Sequence, residues 1–324
     1  MTARPSVVVT RRLPSVVEEE LSRDFEARLN RDDRPLDPAG LQEALRTADA
    51  VLCTVTDRLT AEVLSAEPLR ARMLANFGVG FNHIDTNAAK ARGLAVSNTP
   101  DVLTEATADI AMTLLLMVSR RAGEGERHVR CGLWTGWRPT HMLGTQVSGK
   151  TLGLIGMGRI ARAVARRAHN GFGMRIIFHD PYPPSPAEAA ALGAEPRESL
   201  EQVLEEADFV SLHCPATPET HHLMNRERLA RMRRSAYLIN TARGDIVDEA
   251  ALVEALADGT IAGAGLDVYE GEPRIAPELL ATENAVLLPH LGSATHETRI
   301  AMGQRAVENL RLFFSGAQLR DRVV

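Results

Sequence analysis

Cysteine is scarce in this chain. Cys53, Cys131 and Cys214 are the three among 324 residues, odd in number and far apart. They form neither a disulfide framework nor a metal motif, so a reducing compartment, the cytoplasm, is expected. An excess of one charge is missing too. The formal net charge is -5 and the sequence pI about 6.1. That gives no electrostatic ground for nucleic acid or an anionic membrane as a partner. The basic group Arg231, Arg233 and Arg234 lies beside Glu227 and reads as a solvated helix face. Long apolar runs are also absent. The most apolar stretch, Ile110 to Val118, is too short to span a bilayer and reads as a buried helix. The opening Met1-Thr2-Ala3-Arg4-Pro5 carries no apolar signal region, so no export leader is expected.

What is present is an ordinary globular composition, 44% hydrophobic and 24% charged. At this length one core is too small, so two domains are expected. Strand candidates alternate with helical spacing. Val7-Val8-Val9 precedes a helical pattern over Val17–Leu29. Val51–Val55, Arg72–Ala75 and Leu94–Ser97 are the next strands. From Thr104 to Cys131 the pattern predicts one long helix, with Gly123 and Gly125 marking a bend. After a loop with Trp134, Trp137 and Pro139, a second alternation begins. Its strands are Thr151–Ile155, Arg175–His179, Asp208–Leu212, Ala236–Ile239, Ile261–Leu266 and Val286–Leu288, before a final helix over Thr295–Phe314. This order predicts an α/β protein with two doubly wound domains. The expected division is a discontinuous substrate domain, residues 1–99 with 291–324, and an inserted Rossmann dinucleotide domain, 100–290.

The chemistry starts at Gly156-Met157-Gly158-Arg159-Ile160-Ala161, which follows the apolar run Gly153-Leu154-Ile155 and opens a helical pattern. The first Gly makes a tight turn. The second lets backbone approach a pyrophosphate, and Ala161 stands where a third Gly is common. Phosphates would sit at the positive helix end. Asp180 ends the next strand, roughly 24 residues after Gly156. A carboxylate there accepts from adenosine ribose hydroxyls and repels a 2′-phosphate, favouring NAD over NADP. A turn cap before Pro181 is its plainer reading.

Three charged residues follow in order: Arg243 in Asn240-Thr241-Ala242-Arg243-Gly244, Glu272 in Asp267-Val268-Tyr269-Glu270-Gly271-Glu272-Pro273, and His290 in Leu288-Pro289-His290-Leu291-Gly292-Ser293. A cation, a carboxylate and an imidazole are what reversible hydride transfer to a 2-keto acid needs. Arg243 can hold the substrate carboxylate through its planar fork and polarise the ketone. His290 can give a proton to the developing alkoxide, and Glu272 can keep that imidazole charged. The plainer readings are a strand-end Arg paired with Asp245, a loop carboxylate and a structural His. No histidines, the adjacent His221 and His222 included, have metal-ligand spacing, so no metal is proposed.

These motifs resemble the D-isomer-specific 2-hydroxyacid dehydrogenase family over essentially the whole chain. The resemblance implies a flavodoxin-like N-terminal domain, a Rossmann NAD domain and a cleft between them. It makes Arg243, Glu272 and His290 the catalytic residues. It sets Asp267 against the nicotinamide carboxamide, and Arg159, Ile160 and Thr241 join Gly156, Gly158 and Asp180 as cofactor contacts. Asn76-Phe77-Gly78-Val79-Gly80-Phe81-Asn82-His83-Ile84-Asp85 resembles the family's substrate loop, with the Val79 and Gly80 amides taking the substrate carboxylate.

Thr99-Pro100-Asp101-Val102-Leu103-Thr104 and Trp134-Thr135-Gly136-Trp137-Arg138-Pro139 are most similar to the glyoxylate/hydroxypyruvate reductase branch. There an aromatic of this loop can reach the partner's active site in a homodimer, and Trp137 is the candidate. A bulky ring limits the substrate to a short keto acid. The plainer reading is that both Trp residues bury dimer surface. Many reductases of this branch prefer NADPH, with a basic residue after the second strand, and Asp180-Pro181 departs from that. About 34 residues follow His290, too few for the regulatory domain of long 3-phosphoglycerate dehydrogenases, while a short one remains an alternative. A non-enzymatic NAD-sensing corepressor would carry peptide-binding segments that are not seen here.

Overall fold

Short apolar strands separated by helices cannot bury both faces unless they line up in parallel with helices above and below. The computed structural model describes residues 4–324 and shows this twice. One unit runs up to Leu103 and resumes at Ala294–Val324; the other is Thr104–Ser293.

The first unit has β1 (Ser6–Val9), β2 (Glu26–Arg28), β3 (Ala50–Thr54), β4 (Met73–Phe77) and β5 (Ala95–Ser97). All are parallel, in the order β2-β1-β3-β4-β5, which is the flavodoxin-like order. Every residue of β3 and β4 is buried, as a continuous apolar run requires. The closing helix His296–Ser315 is capped by Thr295, whose hydroxyl accepts from Thr298 N at 3.1 Å. It packs on β4 and on the helix Ser15–Asp24.

The second unit has β6 (Thr151–Ile155), β7 (Arg175–His179), β8 (Ala194–Pro196), β9 (Phe209–Leu212), β10 (Tyr237–Asn240), β11 (Gly263–Leu266) and β12 (Ala285–Leu287). Their order is β12-β11-β10-β9-β6-β7-β8, again all parallel. Counted from β6, this is the doubly wound 3-2-1-4-5-6 order with one strand added. Strand order reverses between β6 and β9. Ligands of such sheets bind at the carboxyl ends of the strands beside that reversal.

Three details differ from the pattern reading. The predicted long helix is two, Thr104–Ser119 and Ala122–Arg130. The break falls at Arg121, φ 53°, and both glycines lie inside the second helix. Its cause is visible: Thr145 N takes the Ser119 carbonyl at 2.7 Å, the acceptor that Gly123 N would need to continue the first helix. β2, Glu26–Arg28, falls inside the helical pattern read over Val17–Leu29: the helix ends at Asp24, and the chain turns into a three-residue edge strand whose outer residues are exposed and polar. β8 is another edge strand and ends in Pro196, tolerated there because no ladder donor is needed.

Candidate active site

Residues Gly156–Arg159 turn from β6 into the helix Arg159–Phe172. Gly156 has φ 88°, and a Cβ there would stand 2.9 Å from Cys214 N and from the His213 carbonyl carbon. Only glycine makes this turn against the end of β9. A Cβ on Gly158 would meet nothing within 4 Å, so the space over the helix N-terminus is open. Asp180, at the end of β7, is fixed from two sides. Its Oδ2 accepts from Met157 N at 2.6 Å and its Oδ1 from Tyr182 N at 2.7 Å. The turn cap read as its plainer role is therefore present, and the same bonds hold the carboxylate beside the glycine turn. Arg159 is exposed and Ile160 half-buried at the helix start. Thr241, just past β10, is buried with its hydroxyl lacking a hydrogen-bond partner. A buried orphan hydroxyl is costly, and a ligand that supplies its partner removes the cost. The glycine turn, the open helix end, the fixed Asp180 and the orphan Thr241 all fit a nicotinamide dinucleotide.

Arg243 follows β10 and precedes a turn of 3-10 helix, Gly244–Ile246. Asn240, buried in the strand end, clamps this turn: its Nδ2 donates to Arg243 O at 2.8 Å and its Oδ1 accepts from Ala242 N at 3.0 Å. Gly244 lies so close to the Tyr269 backbone that a Cβ would overlap it. Arg243 and the 267–273 segment are thereby held together. Burial pushes the Arg243 guanidinium below its ordinary value, against the charges of Glu272 and Asp245, but an arginine keeps its proton.

Glu272 Oε1 accepts from Tyr269 N at 3.0 Å, and Oε2 stands 2.8 Å from His290 Nδ1. Burial pushes its carboxyl up. The hydrogen bond and charge of His290, the Tyr269 N–H and Arg243 outweigh that and leave it below the usual carboxylate range. With Nδ1 turned to Glu272, Nε2 is the nitrogen left to exchange a proton. His290 itself has φ 56°, an unusual conformation for a non-glycine residue. Its neighbours hold it there. Tyr269 Oη donates to Leu288 O at 2.8 Å. Asp267, fully buried at the end of β11, accepts from Leu291 N at 2.6 Å and Gly292 N at 2.7 Å. Burial raises the Asp267 carboxyl and these two bonds oppose it.

Arg243, Glu272, His290 and Asp267 therefore lie past the ends of β10, β11 and β12, at the sheet edge that carries the glycine turn. Asn240 and Tyr269 were quoted in the motifs without a role, and their burial was the signal that pattern alone did not give. His213, just past β9, stood in no motif. Burial pushes it down to about 4, and its Nε2 pairs with Ser211 Oγ at 2.9 Å. In the other unit, the loop after β4 has its carbonyls tied down. Asn76 Nδ2 donates to Gly78 O and Gly80 O at 3.0 Å, and Asn98 Nδ2 to Val79 O at 2.9 Å. Trp137 is 81% exposed, in a segment without regular structure.

A Rossmann sheet with a glycine turn and a carboxylate–imidazole pair at one edge fits a dinucleotide-dependent oxidoreductase. Residues 112–292 match the family described as D-isomer specific 2-hydroxyacid dehydrogenase, NAD binding domain. The glyoxylate reductase of Korarchaeum cryptofilum is 48% identical over 316 residues, covering 97% of this chain and 94% of that protein. The glyoxylate reductase of Thermococcus kodakarensis is 46% identical over 317 residues, with 97% and 94% covered. Among solved structures, the NADPH-dependent glyoxylate/hydroxypyruvate reductase of Sinorhizobium meliloti, in complex with NADP and malonate, superposes with a TM-score of 0.88. It is 38% identical and covers 99% of this chain and 97% of that one. The chain belongs to the D-isomer-specific 2-hydroxyacid dehydrogenase family.

Proposed function

We propose that the protein reduces short 2-keto acids, glyoxylate and hydroxypyruvate, to 2-hydroxy acids, with NADH preferred over NADPH. The observation that carries the reading is the 2.8 Å pair between Glu272 Oε2 and His290 Nδ1, in the same unit and at the same sheet edge as Arg243. Gly156, Gly158, Arg159 and Ile160 would hold the pyrophosphate end of the cofactor, Asp180 its ribose, and Thr241 and Asp267 its nicotinamide end. The bound cofactor supplies the hydride. Arg243 binds the substrate carboxylate and stabilises negative charge at the ketone oxygen. His290 Nε2 holds the proton that the oxygen takes up, and Glu272 keeps the imidazole oriented and charged. In the first unit, the Val79 and Gly80 amides are donors for an anionic group. Asp180 supports NADH, because its charge opposes a 2′-phosphate. The S. meliloti enzyme named above is NADPH-dependent.

The second unit exposes Val129, Leu133, Trp134, Trp137 and Leu143 within one short stretch. Apolar side chains gathered this way are read as a homodimer surface, with Trp137 limiting substrate size. The cytoplasm fits the three free cysteines. Among the described residues no helix is long and apolar enough to cross a membrane. The test is kcat/KM for a panel of 2-keto acids with both cofactors, in the unmodified protein and Arg243→Ala. Losing a buried charged contact to substrate costs about 3–5 kcal/mol, a loss of roughly 100- to 10,000-fold. A loss under about fivefold would make Arg243 structural and remove the reading's cation.

A further inference from the structure

A second cluster of ligand-type side chains lies in the Thr104–Ser293 unit, apart from Arg243, Glu272 and His290. His221 and His222 sit in the loop after β9, and the fold brings them to Glu270, which no spacing in the sequence connects with them. His222 Nε2 is 2.9 Å from Glu270 Oε1. The two imidazoles stack with centroids 4.0 Å apart. One ligand atom from each of the three residues lies within 4.8 Å of the others. The loop is held in this shape by its backbone. His221 N donates to Thr217 O at 3.0 Å and His222 N to Asp245 O at 2.8 Å. His222 has φ 49°, in the left-handed region that a bulky side chain occupies at a cost. Strain of this kind persists where the surroundings impose it, and it points to a site.

We infer that His221, His222 and Glu270 form a binding site for one divalent transition-metal ion of the zinc type. Two neutral imidazoles and a carboxylate are a ligand set such an ion takes, with water in the fourth position. Bonds of about 2.0–2.2 Å in tetrahedral geometry place ligand atoms about 3.4 Å apart. The observed spacings, 2.9 Å for one pair and at most 4.8 Å for the set, bracket that value. His221 and Glu270 are exposed and His222 half-buried, so an ion can reach the site from solvent. The local charge is negative as well. Glu270 N donates to Glu249 Oε1 at 2.6 Å. A cation at this place is opposite in charge to Glu249 and Glu270. It also ties the loop after β9 to the turn that carries Glu272, two residues beyond Glu270.

The experiment uses the full-length protein, stripped of metal with chelator and exchanged into chelator-free buffer. Zn2+ is titrated calorimetrically, and Co2+ is followed by its visible absorption. One Zn2+ per chain is expected in the micromolar range or tighter, with Co2+ bands of low coordination number. Thermal unfolding should move up as Zn2+ is added, because the ion binds the folded chain. His221→Ala and Glu270→Gln should each weaken binding about tenfold or more. His141→Ala, which removes a different histidine near His128, should leave it unchanged. His221 is exposed and outside the proposed machinery, so His221→Ala should fold and turn over as the unmodified enzyme does. No Zn2+ uptake at micromolar concentration, a Co2+ spectrum like the free aqueous ion, or His221→Ala and Glu270→Gln binding as tightly as the parent would each overturn the site.

Discussion

Glu272→Gln isolates the charge of the acid–base pair from its shape. In the structure the two side chains are 2.8 Å apart and 31% and 32% exposed. Two unit charges about 4 Å apart attract by about 4 kcal/mol at an effective dielectric near 20. Water reaches both side chains, and holding both charges out of bulk solvent has its own cost, so most of that attraction is screened or offset. The sign follows from the roles. Reduction needs a protonated imidazole, so its rate falls at alkaline pH as that proton is lost. Against the upward push of burial, the hydrogen bond and charge of His290 hold the Glu272 carboxyl low. With Gln, Tyr269 N–H still needs the side-chain oxygen, which leaves an NH2 group facing Nδ1 and favours a neutral ring. The alkaline limit of kcat/KM for reduction should therefore move to lower pH. The window for hydroxy-acid oxidation should widen toward acid. The assay is kcat/KM against pH in both directions, for parent, Glu272→Gln and His290→Ala, the last expected to be severely slowed both ways. An alkaline limit that does not move in an otherwise active Glu272→Gln enzyme refutes the coupling. A stability difference follows the same logic. Because the folded carboxyl is lowered, its contribution is present above the ordinary glutamate value and fades as pH falls through the folded one. The gap in Tm between parent and Glu272→Gln should close in acid.

Asp180→Ser should narrow or reverse the preference for NADH, read as the ratio of kcat/KM with NADH and NADPH; a parent enzyme that already favours NADPH overturns the role given to Asp180. Gly156→Ala forces a Cβ to within 2.9 Å of the Cys214 backbone at φ 88°; strain of about 1–3 kcal/mol should lower Tm and weaken NADH binding measured by fluorescence, and unchanged binding would mean the turn does not carry the cofactor. Leu133→Asp with Trp134→Asp should shift the protein to monomer in analytical ultracentrifugation; a parent that is already monomeric removes the dimer surface.

Much of the fold was legible because its signals are redundant. The strands β1, β3, β4, β6, β7 and β9 to β12 are apolar runs between turn residues, and all but the edge strand β12 are buried over most of their length. β2 and β8 escaped because edge strands with exposed polar residues carry no such run. The helix break at Arg121 escaped for another reason. Gly123 and Gly125 are local signals, whereas the break depends on Thr145 competing for the Ser119 carbonyl across the fold. A local propensity says where a helix can bend; a tertiary acceptor decides where it does.

The candidate site divides along the same line. Gly156, Arg243, Glu272 and His290 stand in short motifs whose chemistry can be read in order, because each residue is supplied by a separate strand end of a sheet whose order is regular. The groups that hold them are not legible that way. His290 keeps its left-handed backbone because Asp267 takes Leu291 N and Gly292 N and because Tyr269 Oη takes Leu288 O. Those bonds join positions roughly 20 to 25 residues apart, brought together by the parallel pairing of β11 with β12. Asp267 read from sequence was a cofactor contact. In the structure its two oxygens already hold the loop that carries the imidazole, so a change at Asp267 acts on His290 even where it touches no cofactor. The two effects separate kinetically. A displaced His290 lowers kcat with KM for NADH kept, whereas a lost nicotinamide contact raises that KM first.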